Sequence, residues 1–283
     1  MKIYQVNAFS EQPFAGNPAA VCVLNAELTD DNMQQIAAEM NLSETAFIRI
    51  REDRTCHLRW FTPVTEVKLC GHATLASAHI LYELRLFAPD ETIRFDTLSG
   101  ELTVKQLVDG KLEMDFPAIS NQLADIPENV VQALGTKVVF CGAVPGGNQE
   151  ASLQGTLTSD TNIPITDYLI EVADEATLRQ LRPNFSLLSQ ENVQGFIVTA
   201  PASQGKYDFV SRYFAPSIGI NEDPVTGFAH CVLAPYWALK LGKTTFTAFQ
   251  ASAWGGELGV SLHGDRVHLT GKAITILTGE AGK

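Results

Sequence analysis

Two stretches of the chain are apolar on nearly every side when they are read with a helical period. The first runs from His72 to about Leu84, and the second runs from Val225 to about Leu241. A surface helix shows one apolar stripe, whereas a helix that is apolar all round is usually buried. The pattern therefore predicts two buried helices, one in each half of the chain.

Short runs of alternating apolar and polar residues surround these helices and predict strands. The N-terminus enters such a run directly, and turn signals at 109–110 and 263–265 each precede a further strand. A third helix is predicted from about Asp30 to Met40, directly before the strand that contains Phe47.

The two halves repeat the same landmarks in the same order. The segment Arg59–Pro63 (RWFTP) corresponds to Arg212–Pro216 (RYFAP). Cys70 and Asp223 each come seven residues after the proline of their segment, directly before one of the apolar helices. Several landmarks at near-constant spacing predict an internal duplication.

We therefore expect an α+β fold of two pseudo-symmetric lobes, each a mixed sheet or barrel wrapped around a central helix. The first lobe is predicted to span residues 1–118 and the second 119–283, with a C-terminal strand that can cross back to the first lobe.

The repeat makes Cys70 and Asp223 equivalent positions. A substrate between two such lobes would have a titratable group over each face, as a racemase, an epimerase or a proton-shifting isomerase requires. Helix N-termini attract anions and lower the pKa of a cysteine, so a bound carboxylate and a thiolate are expected. Taken alone, Asp223 followed by Pro224 is an ordinary helix start with an Asp N-cap, and Cys70 is an ordinary small buried residue.

Two further polar residues lie near these positions in the sequence. Glu44 has Val193 as its counterpart in the repeat, so it breaks the symmetry and suits a specialised acid or base, although a loop glutamate is by default a solvated surface charge. For His72 a neutral, hydrogen-bonding state is expected, because a helix N-terminus disfavours a cation. The other histidines show no metal-ligand spacing.

Composition narrows the range of partners. The chain has 20 Lys and Arg against 32 Asp and Glu, a formal net charge of −12 that disfavours nucleic acid and anionic lipid. No segment is long and apolar enough to cross a bilayer and no leader is apparent, so a cytoplasmic protein is expected. The five cysteines form no C-x-x-C pair, which indicates reduced thiols, and no Gly-rich nucleotide loop is present.

An ordered set of motifs spans nearly the whole chain. The motifs are FAGNPAAV (14–21), NLSETAF (41–47), WFTP (60–63), EVKLCGHAT (66–74), RYFAP (212–216), EDPVTG (222–227), QAS (250–252) and GGE (255–257). In these motifs the chain resembles the phenazine-biosynthesis PhzF-like family, which has the diaminopimelate-epimerase-like fold.

The resemblance implies that Glu44 is the principal proton-transfer residue, with His72 and Asp223 around the substrate. It also implies that the backbone amides from Gly71 to Ala73 bind an anion. Further substrate contacts are expected from Asn17, Thr226, Gly227 and Gly255.

No metal, flavin, nicotinamide or pyridoxal cofactor is implied, and a homodimer is expected. In the related diaminopimelate epimerases both facing positions are cysteines. The mixed pair of Cys70 and Asp223 leaves open whether Glu44 or Cys70 takes the first proton.

The sequence departs from the family pattern at two positions. Phe228 replaces a small residue, usually a serine, and Trp254 replaces an arginine before Gly255. Both changes put a large aromatic residue in the second lobe's share of the predicted pocket. The loss of an arginine removes a bidentate carboxylate partner, and aromatic rings would narrow or dry the cleft.

These features predict a cofactor-independent isomerase or epimerase that shifts a proton on a small carboxylate-bearing substrate in the cleft between the lobes. Two alternatives remain open. One is a two-base racemase that uses Cys70 and Asp223. The other is a non-catalytic protein of the same fold that binds a small molecule or a protein, with Phe228 and Trp254 forming an aromatic pocket.

Overall fold

The computed structural model describes residues 1–146, 165–203 and 205–280, and the chain divides into two compact units. The first unit is Met1–Asp115 together with the C-terminal segment from Leu269, and the second is Phe116–His268. Each unit is an α+β structure in which one mixed sheet packs on a buried helix.

The first unit begins with eight strands and two helices. The strands are β1 (Lys2–Ala8), β2 (Asn17–Val23), β3 (Glu44–Ile50), β4 (Cys56–Phe61), β5 (Glu66–Val67), β6 (Ile93–Thr97), β7 (Gly100–Gln106) and β8 (Leu112–Pro117), and the helices are α1 (Asp30–Met40) and α2 (Gly71–Glu83).

In its described residues, the second unit follows with strands β9 to β17 and four helices. The strands are β9 (Gln122–Leu123), β10 (Val138–Pro145), β11 (Ile165–Val172), β12 (Gly195–Pro201), β13 (Phe209–Ala215), β14 (Ile220–Asp223), β15 (Thr245–Gln250), β16 (Gly256–His263) and β17 (Arg266–Gly271). The helices are α3 (Glu128–Leu134), α4 (Glu175–Gln180), α5 (Phe185–Leu188) and α6 (Gly227–Leu241). The last strand, β18 (Ala273–Glu280), pairs with β1 of the first unit.

Strand pairing confirms the internal duplication. In the first unit, β1–β2 is antiparallel, β2–β3 parallel, β3–β4 antiparallel, β4–β6 parallel and β6–β7 antiparallel, and β5 lies beside β4. In the second unit, the series β10–β11–β12–β13–β15–β16 has the same directions, and β14 lies beside β13. The two units therefore share one topology.

The two apolar stretches form buried helices, as their pattern predicts. In α2, ten of 13 residues are buried, and the helix packs on β1, β2, β3 and β18. In α6, nine of 15 residues are buried, and the helix packs on β16. The second helix begins at Gly227, two residues after the predicted start at Val225.

The structure corrects the predicted equivalence of Cys70 and Asp223. An Arg–Glu ion pair joins Arg59 to Glu66 in the first unit and Arg212 to Glu222 in the second, but the pairs span seven and ten residues respectively. The second unit has a longer turn, which contains a 3-10 helix at 216–218. Counting seven residues from each proline therefore aligned Cys70 with a residue three positions too early in the second unit.

The helix starts give the corrected alignment. Cys70 is the N-cap of α2, and the N-cap of α6 is Thr226. Val67 lies opposite Trp60 across β4 and β5, and Asp223 lies opposite Tyr213 across β13 and β14. Thr226 is therefore the counterpart of Cys70, and Asp223 is the counterpart of Val67.

The counterpart of Glu44 also changes. Phe47 pairs with Arg59, whereas Val198 pairs with Arg212, so Phe47 and Val198 are equivalent. Glu44 lies three residues before Phe47, and Gly195 lies three residues before Val198. Glu44 therefore corresponds to Gly195 and not to Val193, because the hairpin that follows the strand is longer in the second unit.

Candidate functional site

A buried cluster in the first unit joins three of the predicted site residues. Glu44 is the first residue of β3, Cys70 is the N-cap of α2, and His72 lies in the first turn of that helix. Nε2 of His72 is 3.1 Å from Oε2 of Glu44, and Nδ1 is 3.5 Å from Sγ of Cys70. The side chains of His72 and Glu44 are only 7% and 12% exposed. The turn between α1 and β3, in which Asn41 is left-handed, places Glu44 here.

Cys70 is a protonated thiol at neutral pH. Burial and the nearby charge of Glu44 raise the pKa of the thiol to about 11. The expected thiolate was therefore wrong, because the loss of hydration outweighs the favourable position at the helix N-terminus.

The pKa of His72 is raised by its two neighbours. Burial alone would lower the pKa of His72, but negative charge on Cys70 and Glu44 raises it well above its ordinary value. This direction runs against the expected neutral histidine, because the negative charges of its two neighbours offset the effect of burial.

Asn17 supports the strand start that carries Glu44. Asn17 is fully buried, and its side-chain oxygen accepts a hydrogen bond from Oγ of Ser43 at 3.3 Å. The chain enters β2 through Gly16, whose φ is +82°, and a Cβ there would lie 2.3 Å from the carbonyl oxygen of Ala8. The predicted substrate contact at Asn17 is thus placed beside the residue that precedes Glu44.

The first turn of α2 has the properties of an anion site. The N-cap residue Cys70 makes no side-chain capping hydrogen bond of normal geometry, although the Ala73 amide interacts with its sulfur. The turn contains Gly71 and Ala73 next to His72, so amide donors lie beside a histidine whose pKa is raised. Amide groups at a helix N-terminus bind carboxylates well.

A second cluster, in the second unit, contains Asp223 and Thr226. Asp223 is the last residue of β14, and α6 begins four residues later at Gly227. The prediction that Asp223 caps this helix and that Pro224 is its first residue was wrong, because Asp223 still pairs with Tyr213 in the sheet. The hydroxyl of Thr226 donates a hydrogen bond to Oδ2 of Asp223.

Gln250 fixes this cluster and was missed as a site residue. Its side chain is fully buried, and Nε2 donates to the Asp223 carbonyl at 2.8 Å and to Oγ1 of Thr226 at 3.1 Å. Oε1 accepts from the backbone N–H of Thr226 at 2.8 Å. The sequence did contain a signal, since Gln250 is in phase with the buried residues Phe246 and Ala248 of β15.

Ser252 ties the Gly255 loop to the strand that ends in Asp223. Its hydroxyl donates to the Pro224 carbonyl at 2.8 Å and accepts from the Gly255 amide at 3.0 Å. Gly255 has φ +65°, and a Cβ there would lie 2.7 Å from the Phe249 ring. Ser252 was also missed, although it belongs to a quoted motif.

The two unusual aromatic residues are not core residues. Phe228 is half-buried in the first turn of α6, after Gly227, and Trp254 is 45% exposed. Trp254 is thus the more exposed of the two rings.

The repeated Arg–Glu pairs brace both clusters. In each pair, Nε and Nη2 of the arginine contact the two carboxylate oxygens at 2.7 to 2.9 Å. Arg212 also donates to the carbonyls of Leu178 and Leu181. Such bidentate pairs fix the short strands β5 and β14, which lead to Cys70 and to Thr226.

Glu44, Cys70 and His72 also form the one grouping in the described residues that could hold a metal ion, with ligand atoms within 4.8 Å of one another. A metal ion binds a thiolate and a neutral imidazole. Metal binding here would have to displace protons from the Cys70 thiol and from His72, because burial raises the pKa of the thiol and neighbouring negative charges raise the pKa of the imidazole.

Two global features complete the description. Within the described ranges, no helix has the length and apolar character needed to span a membrane. All five cysteines lie in the described part of the chain, where they are buried and form no disulfide.

Comparisons with known proteins agree with this architecture. A model of the family described as phenazine biosynthesis-like protein matches residues 6–279. An uncharacterized isomerase of Halalkalibacterium halodurans is 47% identical over 279 residues, which cover 98% of this chain and 97% of that protein. The human phenazine biosynthesis-like domain-containing protein is 41% identical, and the aligned region covers 99% of this chain and 98% of the human protein.

A solved structure shows the same relationship. The crystal structure of a PhzF-family protein of Enterococcus faecalis has a TM-score of 0.87 and 40% sequence identity, with coverage of 100% of this chain and 99% of that one. The family model and these relatives cover nearly the entire sequence, and the chain belongs to the phenazine biosynthesis-like (PhzF) family.

Proposed function

We propose that the protein is a cofactor-independent isomerase or epimerase that shifts a proton on a small carboxylate-bearing substrate. The observation that carries this proposal is the buried contact between Glu44 and His72, 3.1 Å apart beside the N-terminus of α2. The isomerase names of the relatives support the same reaction class.

In this proposal, Glu44 is the general base. It removes a proton from the carbon next to a carboxylate or carbonyl group, and the first turn of α2 binds the carboxylate. Protonated His72 lies beside the base and stabilises the negative charge that develops on the substrate. Return of the proton to a different carbon, or to the other face of the same carbon, gives isomerisation or epimerisation.

Asp223 is proposed as the acid or base that the second unit contributes. Its carboxylate accepts from Thr226, and Gln250 holds its carbonyl oxygen, so both the side chain and the backbone are fixed. The location of the substrate between the lobes remains a prediction that rests on the sequence repeat and on the resemblance.

A two-base racemase acting through Cys70 and Asp223 is less well supported. The main support for this racemase was that Cys70 and Asp223 are equivalent in the repeat. The N-cap positions of the two helices show instead that Cys70 is equivalent to Thr226. The pKa of Cys70, raised to about 11, makes its thiol a better proton donor than base near pH 7.

A second candidate function is a non-catalytic binding protein of the same fold. The exposed ring of Trp254 favours it. Tight binding of a small carboxylate with no turnover would support it. In that case Glu44→Gln would leave binding unchanged, and Trp254→Ala would weaken it.

Deuterium uptake tests the proposed function. Small carboxylates with an acidic α-proton are incubated with the protein in D₂O and followed by proton NMR. Wild-type protein should label at least one of them, and Glu44→Gln should lower the labelling rate about 10²- to 10⁴-fold, as the loss of a general base does. Glu39→Gln, at an exposed position of α1, is the matched control and should retain the rate. Equal rates in wild type and Glu44→Gln would remove Glu44 from the mechanism.

A homodimer stays a prediction from the family resemblance. Three strongly exposed apolar side chains of the second unit are Leu123, Val139 and Leu239, which are 82%, 56% and 88% exposed. Light scattering after size-exclusion chromatography should give twice the mass of 30.8 kDa. A mass of one chain at micromolar concentration would reject the dimer.

A further inference from the structure

The side-chain amide of Gln250 can take only one orientation in the second cluster. A backbone N–H only donates and a backbone carbonyl only accepts. The contacts at 2.8 Å with the Thr226 amide and with the Asp223 carbonyl therefore assign Oε1 to the first and Nε2 to the second. Gln250 is fully buried, so the protein supplies these partners in place of bulk water. The amide is locked in this direction.

This orientation also sets the direction of the Thr226 hydroxyl. Nε2 of Gln250 lies 3.1 Å from Oγ1 of Thr226, and an amide nitrogen only donates, so the hydroxyl oxygen accepts there. The hydroxyl hydrogen is then directed to Oδ2 of Asp223, with which it forms a hydrogen bond. A chain of donors thus runs from the Gln250 amide through the Thr226 hydroxyl and ends on the carboxylate. Donors that meet a carboxylate favour its ionised form.

The first unit holds its own acid in a different way. Thr226 is the counterpart of the N-cap residue Cys70, so Phe228, two residues later, is the counterpart of His72. In the first unit this histidine lies 3.1 Å from Glu44. In the second unit a phenyl ring takes the same helix position, and the hydroxyl of the N-cap residue contacts the acid instead.

The titratable neighbours named here do not supply a cation to Asp223. Tyr213 pairs with Asp223 across β13 and β14, but its hydroxyl donates to a buried carboxylate on β11 at 2.8 Å. His230, on α6, is neutral near pH 7, because burial lowers its pKa to about 4. Arg212 contacts both carboxylate oxygens of Glu222. The Thr226 hydroxyl is therefore the donor on which the argument for Asp223 depends.

We propose that Thr226, oriented by Gln250, is a positioning residue that holds Asp223 in its ionised form and fixes the direction of its carboxylate. This inference rests on the proposed function, in which Asp223 is the second unit's acid or base, and it selects the base. Near pH 7, Asp223 then accepts a proton or a hydrogen bond from the substrate and is not the source of the returning proton.

A titration of Asp223 tests the inference without a substrate. Carboxyl carbons of aspartate are labelled with ¹³C, the Asp223 signal is assigned with Asp223→Asn, and its midpoint is followed by NMR against pH. Thr226→Val and Thr226→Ala should each raise the midpoint by at least about half a pH unit, since the ionised form loses a donor, and Thr226→Ser should keep it. Thr199→Val is the matched control, because this buried hydroxyl donates to the Val210 carbonyl. A midpoint that stays constant in Thr226→Val and Thr226→Ala would overturn the inference.

Kinetics give the second readout. With any carboxylate that wild type labels, Thr226→Val should lower kcat at least about tenfold with little change in KM, and Thr226→Ser should recover most of the rate. Thr199→Val should keep both values. Full activity in Thr226→Val, with Glu44→Gln inactive, would reject this inference and leave the proposed function standing. Absence of labelling by wild type would reject the proposed function alone, and the titration would still decide whether Thr226 holds Asp223 ionised.

Discussion

At the scale of single residues, burial and neighbouring charges together shift the pKa values of the site. Cys70 and His72 lie at one helix N-terminus, where the helix dipole alone predicts a thiolate and a neutral imidazole. Burial raises the pKa of the thiol, and the charges of Cys70 and Glu44 raise the pKa of the imidazole against the opposing effect of burial. The sequence named Glu44, Cys70 and His72, which the fold brings together, but their pKa values depend on contacts at 3 to 4 Å that no spacing rule contains.

The buried acid Asp167 gives a stability prediction at this scale. Its pKa is raised from 3.8 to about 6, so the folded state binds this proton more tightly than the unfolded state does. The resulting stabilisation is complete below pH 3.8 and is lost as the pH rises through 6. At pH 8, Asp167→Asn should therefore raise the free energy of unfolding by about 1 to 3 kcal/mol. Urea denaturation at pH 8 and at pH 4.5 measures this.

The urea denaturation at the two pH values can also contradict this prediction. The difference between Asp167→Asn and wild type should shrink at pH 4.5, where both side chains are uncharged for much of the time. A variant that is less stable than wild type by about 2 kcal/mol at pH 8 would show that the carboxylate stabilises the fold.

At the scale of elements, the two central helices were the best predicted features. Their sequences are apolar on all sides, and only a buried helix satisfies that pattern. The equivalence of individual residues was harder to predict, because the turn after Phe214 is three residues longer than the turn after Phe61. An alignment that assumes equal turns therefore matches Cys70 with Asp223, whereas the structure matches it with Thr226. An insertion in a turn leaves the hydrophobic pattern of the flanking elements unchanged, so the pattern cannot reveal it.

Gln250 is expected to be the main brace of the second cluster. Replacement by Ala removes three hydrogen bonds to Asp223 and Thr226 and leaves the half-buried Thr226 amide without its acceptor. We expect Gln250→Ala to lower the free energy of unfolding by about 1 to 3 kcal/mol and also to slow proton exchange. Gln190→Ala, at an exposed position in the same unit, should change neither value by much. Wild-type stability in Gln250→Ala would show that the turn is held by other contacts.

His230 gives α6 a pH-dependent stability. The ring is fully buried, Nδ1 lies 2.8 Å from the Thr226 carbonyl, and burial lowers the pKa of His230 to about 4. The unfolded chain takes up this proton first, so stability should fall as the pH drops from 6.5 toward 4, by up to about 3 kcal/mol from this residue. Urea denaturation of wild type and His230→Asn across this range measures the slope.

The control for this prediction is His263→Asn, because His263 is exposed. The slope between pH 6.5 and 4 should be shallower in His230→Asn than in wild type and unchanged in His263→Asn. An equal slope in all three proteins would assign the acid sensitivity to other groups.

At the scale of the whole molecule, the duplication was predicted because several landmarks recur in one order. A C-terminal strand that can cross back to the first lobe was expected, and 273–280 does pair with β1 in the first unit, but nothing in its local pattern identifies that neighbour. Such pairing depends on contacts between residues far apart in the sequence, and alternation of apolar residues identifies a strand without identifying its neighbour.

The account also makes a prediction about metals for the intact protein. Proton exchange should be unchanged after dialysis against EDTA, because the proposed mechanism uses only side chains and backbone amides. Loss of activity that zinc restores would instead assign Glu44, Cys70 and His72 as metal ligands.

The central claim is that Glu44, and not Cys70, takes the first proton. The most direct measurement compares deuterium uptake by wild type, Glu44→Gln and Cys70→Ser on the same labelled substrate near pH 7. The account predicts a loss of about 10²- to 10⁴-fold for Glu44→Gln and a rate within about tenfold of wild type for Cys70→Ser. A Cys70→Ser variant without exchange, beside an active Glu44→Gln variant, would contradict it.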